Sequence, residues 1–281
     1  MPPLCLVGYT YRGYPLAYAL DQARAHGYAG IELRDFSDID LSDPTGLARA
    51  LERALPLARA QGLTVYSVFY ASIPVSHTNE RAAEEAAFVA TLDILARYGV
   101  PILHTRLSIR DRLGCEITAA SAREEDYAAV QRTLVRLGPE AEQRGVRIAL
   151  ETHMGTIHDT AASQLRIVRA CPSPAVSASL DFANMLITHP QERVFEVASA
   201  FAGRIGYVHL KNVKLLPHGL GYDWNLPLRW GDVNYYRVLW ALKEAGYLGP
   251  LAVEYCGTGD PDVFAEDDAR YLQELTARMG W

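Results

Sequence analysis

The chain has 281 residues, of which 49% are hydrophobic, so it can bury one large core and does not have the composition of a disordered protein. The formal net charge is −6 and the sequence has no basic cluster, which argues against a nucleic-acid-binding surface.

The four cysteines are widely separated and form no Cys-x-x-Cys pair, which argues against a disulfide framework or a zinc ribbon and favours a reducing environment. The first six residues, MPPLCL, lack the basic segment and the long apolar stretch of a signal peptide. No apolar run approaches the ~18 residues of a membrane span. We therefore expect a cytoplasmic protein that has no membrane partner.

A local pattern recurs along the chain: a helical stretch ends in glycine, and an apolar run follows within a few residues. Glycine suits the position just past a helix because it adopts the left-handed backbone conformation at little cost. The pattern occurs at six glycines, Gly27, Gly62, Gly99, Gly145, Gly203 and Gly246. Between the fourth and fifth of these, the proline-containing segment 171–174 supplies a further break.

Together with a first apolar run at Leu4–Val7, these breaks give eight strand-like runs, which begin near residues 4, 31, 65, 102, 148, 176, 205 and 251. Helical stretches with one apolar face lie between them. Apolar strands that alternate with helices form parallel sheets, and eight such units favour a closed barrel. We predict an α/β protein with a (β/α)8 TIM barrel fold and a single domain over residues 1–281.

Four successive strand-like runs deliver side chains that bind metals. Glu151, Asp181, His209 and Glu254 come at the ends of runs five to eight. In a barrel these ends form one rim, where active sites lie. Three carboxylates and one imidazole suit one divalent ion, Mn²⁺, Mg²⁺, Co²⁺ or Zn²⁺. The alternative is that each acid only caps a helix; its recurrence in four successive strands favours the metal site.

Further polar side chains near strand ends are candidates for substrate binding. His153 and Lys211 each lie two residues after a predicted metal ligand, on the same side of an extended chain. Glu32 and Arg106 lie near the ends of the second and fourth runs, and we expect them to line the pocket. We expect His104, two residues before Arg106, to be packed in the core.

The longest irregular segment, residues 212–232, is rich in Gly, Pro and Trp and has the length of a lid or binding loop. Trp224, Arg229 and Trp230 are expected either to cover a sugar or to pack the loop itself, and Arg229 is a substrate-binding candidate. Four histidines carry no spacing signal and are expected at the surface or in loops: His77, His158, His189 and His218.

Several strings resemble the xylose isomerase-like TIM barrel superfamily, in its sugar phosphate isomerase/epimerase branch. They are LETH at 150–153, LDFAN at 180–184, VHLK at 208–211, VE at 253–254 and GDVNY at 231–235. The resemblance implies that Glu151, Asp181, His209 and Glu254 bind one divalent ion. It also implies that Glu151 and Glu254 serve as proton-transfer groups.

One departure from the family pattern affects the functional reading. Many relatives carry histidine three residues after the strand-six aspartate, where this chain has Asn184, which we include among the substrate-binding candidates. Endonuclease IV, the DNA-repair relative, has a histidine-rich three-metal cluster, so Asn184 and the acidic net charge argue against DNA repair. Residues 151–160 resemble dehydratases of the superfamily, of the 3-dehydroshikimate and inosose dehydratase types.

The expected reaction is isomerisation or epimerisation of a ketose, free or phosphorylated, through an enediolate. Glu151 and Glu254 would face opposite sides of the carbon that loses its proton. A dehydratase begins with the same proton removal and then expels a hydroxyl, so it stays as the alternative, and a non-catalytic sugar-binding barrel is a third. The expected partner is a small polyhydroxy carbonyl compound, and assembly into a homo-oligomer is left open.

Overall fold

A computed structural model describes residues 1–77 and 82–281 of the chain. Eight parallel strands close a barrel in the order β1-β2-β3-β4-β5-β6-β7-β10, so the predicted (β/α)8 fold is confirmed. The barrel strands are β1 Leu4–Val7, β2 Gly30–Leu33, β3 Thr64–Pro74, β4 Ile102–Ser108, β5 Arg147–Glu151, β6 Val176–Asp181, β7 Ile205–Leu210 and β10 Leu251–Val253. Each lies within a few residues of a predicted run.

Helices surround the barrel and connect successive strands. They are α1 Leu16–Ala25, α2 Pro44–Ala60, α3 Ala82–Tyr98, α4 Glu124–Gln143, α5 Ala161–Ala170, α6 Phe182–Thr188, α7 Val197–Ala200, α8 Tyr235–Glu244 and α9 Pro261–Arg278. Within residues 1–77 and 82–281, no helix combines the length and hydropathy that crossing a membrane requires.

The glycines that were predicted to follow helices do so in the left-handed conformation. Their φ angles are 78° at Gly27, 73° at Gly62, 71° at Gly99, 65° at Gly145, 76° at Gly203 and 74° at Gly246. Because only glycine adopts this conformation without strain, these positions fix where each helix stops and the next strand begins. The sequence therefore sets the spacing of the barrel units directly.

The buried apolar residues of the barrel form two clusters, one on each face of its strands. Leu4 and Leu6 of β1 belong to the large cluster that includes the helices, whereas Cys5 and Val7 belong to a small one with residues from β4, β5, β7 and β10. Successive strand residues point to opposite faces, so the small cluster is the packed interior of the barrel. This small cluster lies inside the barrel, below the polar side chains at the carboxyl ends of the strands.

The segment between β7 and α8 contains an antiparallel hairpin of β8 Lys214–Leu215 and β9 Tyr222–Asp223. Its second half is attached to α9, because Leu228 N donates to Asp268 Oδ1 over 2.6 Å and Arg229 Nε contacts Asp267 Oδ2 over 2.9 Å. The long loop is therefore fastened to α9, and its hairpin contacts the β5–α5 loop, where Tyr222 Oη lies 3.8 Å from Met154 Sδ.

Candidate metal centre

The four predicted ligands meet at the carboxyl end of the barrel. One ligand atom each of Glu151, Asp181, His209 and Glu254 lies within 4.8 Å of the others, and all four side chains are buried. His209 Nδ1 is 3.7 Å from Glu151 Oε1 and 3.7 Å from Glu254 Oε2. We call these four residues the metal cluster. The convergence that the sequence predicted is therefore present in the fold.

Lys211 lies inside the metal cluster. Its Nζ is 2.9 Å from Asp181 Oδ2, 3.0 Å from Glu254 Oε2 and 3.9 Å from Glu151 Oε1. The side chain is almost fully buried, so its ammonium is balanced by these carboxylates more than by water. Lys211 thus lies among the predicted metal ligands, and its contact with substrate stays a prediction.

Asp181 serves two purposes. Its Oδ1 accepts a hydrogen bond from Asn184 N over 2.9 Å and caps α6, which is the alternative that the sequence left open for each acid. Its Oδ2 faces Lys211 Nζ. Capping therefore fixes the carboxylate while leaving one oxygen for the cluster.

Glu32 is fully buried beneath the metal cluster, so its predicted place in the pocket lining is corrected. Its Oε2 accepts from Ser67 Oγ over 2.7 Å and lies 3.4 Å from His209 Nε2. A carboxylate on one imidazole nitrogen holds a proton there and leaves the other nitrogen's lone pair for a metal. Glu32 thus supports His209.

His104 is packed in the interior, as expected, and also belongs to the layer that supports the cluster. It is fully buried, its ring centroid lies 4.1 Å from that of His209, and its Nδ1 is 3.3 Å from Glu32 Oε2. His104 Nε2 is 3.8 Å from Glu151 Oε2. Glu32, His104 and His209 also satisfy the geometry of a three-ligand cation group.

The ionisation of the cluster follows from burial opposed by neighbouring charges. Burial raises the pKa of Asp181 to about 6, although the Lys211 ammonium opposes that shift. Burial also tends to raise the pKa of Glu254, but the charges of Lys211, His209 and Arg34 hold it well below its usual range. Burial tends to lower the pKa of His209, yet the carboxylates of Glu32 and Glu254 raise it to about 10.

The residues present fit a divalent ion. Within the described part of the chain, Glu151 Oε2 and His209 Nδ1 are buried without a hydrogen-bond partner, and Asp181 Oδ2 has only the Lys211 ammonium beside it, 2.9 Å away. Buried polar atoms in proteins are nearly always satisfied, so unpartnered atoms on two residues of one four-residue cluster agree with a site that holds a cation. Carboxylate oxygens and an imidazole are the donors that Mn²⁺, Mg²⁺, Co²⁺ and Zn²⁺ accept.

Arg34, which the sequence analysis did not single out, contacts the cluster from β2's end. Its Nη1 lies 3.2 Å from Glu254 Oε1, and its guanidinium carbon is 3.9 Å from the centre of the Phe69 ring. A signal was available, since Arg34 follows Glu32 by two residues and so shares its inward direction. After Lys211 and His209, the charge of Arg34 also helps to lower the pKa of Glu254.

His153 and Arg106 form a pair on the rim beside the cluster. His153 Nδ1 lies 2.8 Å from Met154 O, and Arg106 Nη1 lies 3.3 Å from His153 Nε2. Because a carbonyl only accepts, Nδ1 carries the proton and Nε2 accepts from Arg106. Burial lowers the pKa of His153, which agrees with this neutral form.

The chain matches the family model described as xylose isomerase-like TIM barrel over residues 20–275. The chain belongs to that family. Among curated proteins, it is 24% identical over 255 residues to an inosose dehydratase from Lacticaseibacillus casei, covering 84% of this chain and 80% of that one.

Solved structures of the family have the same barrel. D-allulose 3-epimerase from Methylomonas sp. in complex with D-allulose matches with a TM-score of 0.75 and 18% identity, covering 98% of each chain. A xylose isomerase-like protein from Mycobacterium smegmatis in complex with magnesium matches at 0.72 and 19%, covering 99% and 97%. A third protein, with a bound zinc atom, matches at 0.73 and 20%, covering 98% and 97%.

Three more residues that the sequence singled out are Asn184, Trp224 and Arg229. Asn184 is fully buried and its Nδ2 donates to Glu151 Oε1 over 3.3 Å, so it supports that glutamate and does not line the pocket. Trp224 is partly buried against the apolar core and its ring centre lies 5.5 Å from Lys211 Nζ, so it packs the loop and also reaches the cluster's edge. Arg229 contacts Asp267 and the ring of Tyr271, which ties it to α9, and its contact with substrate stays a prediction.

His158 was expected at the surface or in a loop. It does lie in a loop, but it is not at the surface. It is fully buried, and its Nε2 accepts from Leu107 N over 2.9 Å. Burial lowers the pKa of His158 to about 3, so it is neutral and supports the backbone of β4. No spacing in the sequence marks it, because the β5–α5 loop that carries it has no period.

Proposed function

We propose that this protein is a divalent-metal-dependent isomerase or epimerase that removes a proton from the carbon next to the carbonyl of a ketose. The observation that carries the proposal is that two buried glutamates, Glu151 and Glu254, converge on one imidazole and one ammonium. The reaction needs one group to remove a proton and another to return it, whereas binding alone needs neither.

Glu151, Asp181, His209 and Glu254 would hold the ion. When bound, a divalent ion acts as a Lewis acid that polarises a carbonyl and stabilises the negative charge formed on proton removal. His209 must be neutral to ligate, so the proton that the neighbouring carboxylates hold on it leaves as the ion binds.

The chain's own groups supply the proton transfers. Arg34 and Lys211 keep Glu254 in its basic, ionised form, and Lys211 and Asn184 contact Glu151. A well-placed acid or base commonly contributes about 10²–10⁴ in rate. The Lys211 ammonium is positioned to donate a hydrogen bond to the oxygen that gains negative charge.

Other rim residues would orient and enclose the substrate. His153 presents its neutral ring next to Glu151 and can hydrogen-bond a hydroxyl when Arg106 yields to the substrate. Trp224 lies above Lys211 and supplies an apolar face of the kind that stacks on a sugar. Excluding water in this way strengthens the electrostatic contacts inside the site.

A dehydratase is the second candidate, and one specific observation favours it. The curated relatives that the chain resembles over most of its length are named inosose dehydratases. Elimination starts from the same proton removal and then needs an acid for the departing hydroxyl. The proton that Glu151 or Glu254 had removed would pass to the departing hydroxyl, which would leave as water.

The test separates the two reactions. Ketoses from tetruloses to hexuloses, free and phosphorylated, are incubated with the enzyme and Mn²⁺ in D₂O. An isomerase or epimerase incorporates deuterium at one carbon and leaves the carbon skeleton and oxygen count unchanged. A dehydratase releases water and produces ultraviolet absorbance, tested with 3-dehydroshikimate and an inosose.

Glu254→Gln is the diagnostic variant, with its metal content measured alongside. Loss of exchange with metal retained supports a proton-transfer role for Glu254. If a dehydratase substrate gives new ultraviolet absorbance and no ketose exchanges deuterium, the isomerase hypothesis is wrong and the dehydratase hypothesis replaces it. Absence of both would leave a non-catalytic sugar-binding barrel.

A further inference from the structure

The rim of the barrel has two chemically different halves. The metal cluster occupies the ends of β5, β6, β7 and β10. The ends of β1 to β4 carry instead an alternating series of arginines and aromatic rings, which we call the arginine ladder: Arg12, Tyr9, Arg34, Phe69 and Arg106. The ladder faces the cluster from the opposite side of the same rim.

The members of the ladder are stacked in sequence. The guanidinium carbons of Arg12 and Arg34 each lie 4.8 Å from the centre of the Tyr9 ring. Those of Arg34 and Arg106 lie 3.9 and 5.7 Å from the centre of the Phe69 ring. Each arginine therefore has an aromatic face against it, and two rings join three cations.

The ladder is held at its edges. Arg12 Nη2 donates to Gly257 O over 2.7 Å, and Arg34 Nε donates to Asp35 Oδ2 over 3.0 Å. Arg106 Nε donates to Ala71 O over 3.4 Å. Within the described residues, the hydrogen bonds of Arg34 and Arg106 use Nε and Nη1, so Nη2 of each is a further donor.

We propose that the arginine ladder, at its Arg106 end, binds an anionic group of the substrate, a carboxylate or a phosphate, that lies away from the reacting carbonyl. This inference rests on the proposed function and narrows its substrate class to anionic polyhydroxy carbonyl compounds. Guanidinium groups match the geometry of carboxylate and phosphate oxygens, and stacking on rings fixes their planes before the ligand arrives.

The surroundings agree with an anion site. The chain as a whole carries a net charge of −6, and Arg34 is paired with Asp35 and Glu254, whereas Arg12 and Arg106 have no carboxylate partner within the described residues. A cavity of about 330 Å³ adjoins the ladder and is lined by Arg106 and by polar groups that include Ser72 and Ser108. Its one carboxylate, Glu116, is paired with Arg110 over 2.9 Å.

The competing explanation is that the ladder only positions Glu254 and the neighbouring loops, since Arg34 contacts Glu254 directly. That explanation makes no distinction between neutral and charged substrates. It also predicts no special effect of Arg106, which is separated from Glu254 by Phe69 and Arg34 in the ladder. The charge of the ligand therefore decides between the two.

The test measures binding of three ligands with one carbon skeleton to the Mn²⁺-loaded protein by calorimetry. They are D-fructose, D-fructose 6-phosphate and D-fructuronate, which end in a hydroxymethyl, a phosphate and a carboxylate. We expect at least one anionic ligand to bind roughly tenfold or more tightly than D-fructose, because a charged hydrogen bond contributes about that factor. The comparison of the two anions identifies which group the ladder accepts.

Variants locate the preference. Arg106→Gln should reduce the anionic preference to within about threefold, while Arg59→Gln, which changes an exposed arginine on α2, should keep it. In the unaltered protein, raising KCl from 50 to 300 mM should weaken binding of the anion and leave D-fructose binding unchanged. The salt titration uses the unaltered protein, so its result does not depend on whether a variant folds.

The proposal is overturned if neither anion binds better than D-fructose, or if the preference is unchanged in Arg106→Gln. Binding is read separately from turnover, so the two claims can fail separately. Anion preference in a protein without deuterium exchange would remove the isomerase proposal and keep the ladder's role. Deuterium exchange together with equal binding of neutral and anionic ligands would keep the isomerase proposal and remove the anion-binding role of the ladder.

Discussion

Lys211 Nζ lies 2.9 Å from Asp181 Oδ2 at a depth where both side chains are almost fully buried. Once His209 has lost its proton, as metal ligation requires, the three carboxylates of the metal cluster and this one ammonium carry three negative charges and one positive charge. Lys211 therefore limits the excess of negative charge before an ion binds. It also places a hydrogen-bond donor beside the reacting centre.

Lys211→Met is expected to separate metal binding from catalysis. Removing the ammonium removes repulsion toward the ion, so the variant should bind Mn²⁺ at least as tightly as the unaltered protein. Turnover should fall roughly 10²-fold or more, because a donor to the developing negative charge is lost. Mn²⁺ titration and deuterium exchange measure the two effects. A variant that loses Mn²⁺ binding would show that Lys211 mainly organises the ligands.

Glu32→Gln is expected to weaken the metal site without touching substrate. The amide cannot replace the carboxylate that faces His209 Nε2, so the imidazole is held less firmly with Nδ1 toward the cluster. Loss of such a supporting carboxylate typically costs about 10–100-fold in metal affinity. A chelator competition assay measures it, with Glu52→Gln, an exposed glutamate on α2, as the control. Equal Mn²⁺ affinity in Glu32→Gln and the control would refute the supporting role.

Asp268 is expected to make stability depend on pH. Burial raises the pKa of Asp268 to about 8, although the hydrogen bond from Leu228 N opposes that shift. Between pH 4 and 8 the folded protein keeps a proton that the unfolded chain has released. The free energy of unfolding therefore falls as pH rises through this window, by up to about 1.4 kcal/mol per pH unit from this group.

Denaturant unfolding at several pH values checks this slope. Asp268→Asn keeps an acceptor for Leu228 N but does not titrate, so its slope should be shallower by up to one proton's contribution. Glu274→Gln, an exposed change on the same helix, should leave the slope as it is. Identical slopes in Asp268→Asn and the unaltered protein would contradict the raised pKa.

The barrel and the metal cluster were accessible from the sequence because short-range rules determine them. Glycines in the left-handed conformation mark where helices stop, as at Gly145, and the apolar run that follows carries its ligand to the rim, as β5 carries Glu151. Parallel barrel strands share one direction, so residues at their carboxyl ends lie on the same rim. This can be predicted without knowing how the outer helices pack.

The depth of each side chain inside the barrel was not accessible. Glu32 and Arg34 both point inward, but one lies under His209 and the other on the rim beside Glu254. The same holds for His104 and Arg106 on β4. Which layer a residue enters depends on the tilt and stagger of all eight strands, and the local sequence does not encode those quantities. The arginine ladder was missed for this reason.

The central claim is that Glu151, Asp181, His209 and Glu254 bind one divalent ion. Its most direct test is a Mn²⁺ titration followed by electron paramagnetic resonance, in which bound Mn²⁺ loses the signal of the free ion. We predict one tight site per chain, retained in Asp21→Asn, an exposed change on α1, and lost in Asp181→Asn. No tight site in the unaltered protein, or an equal site in Asp181→Asn, would contradict it.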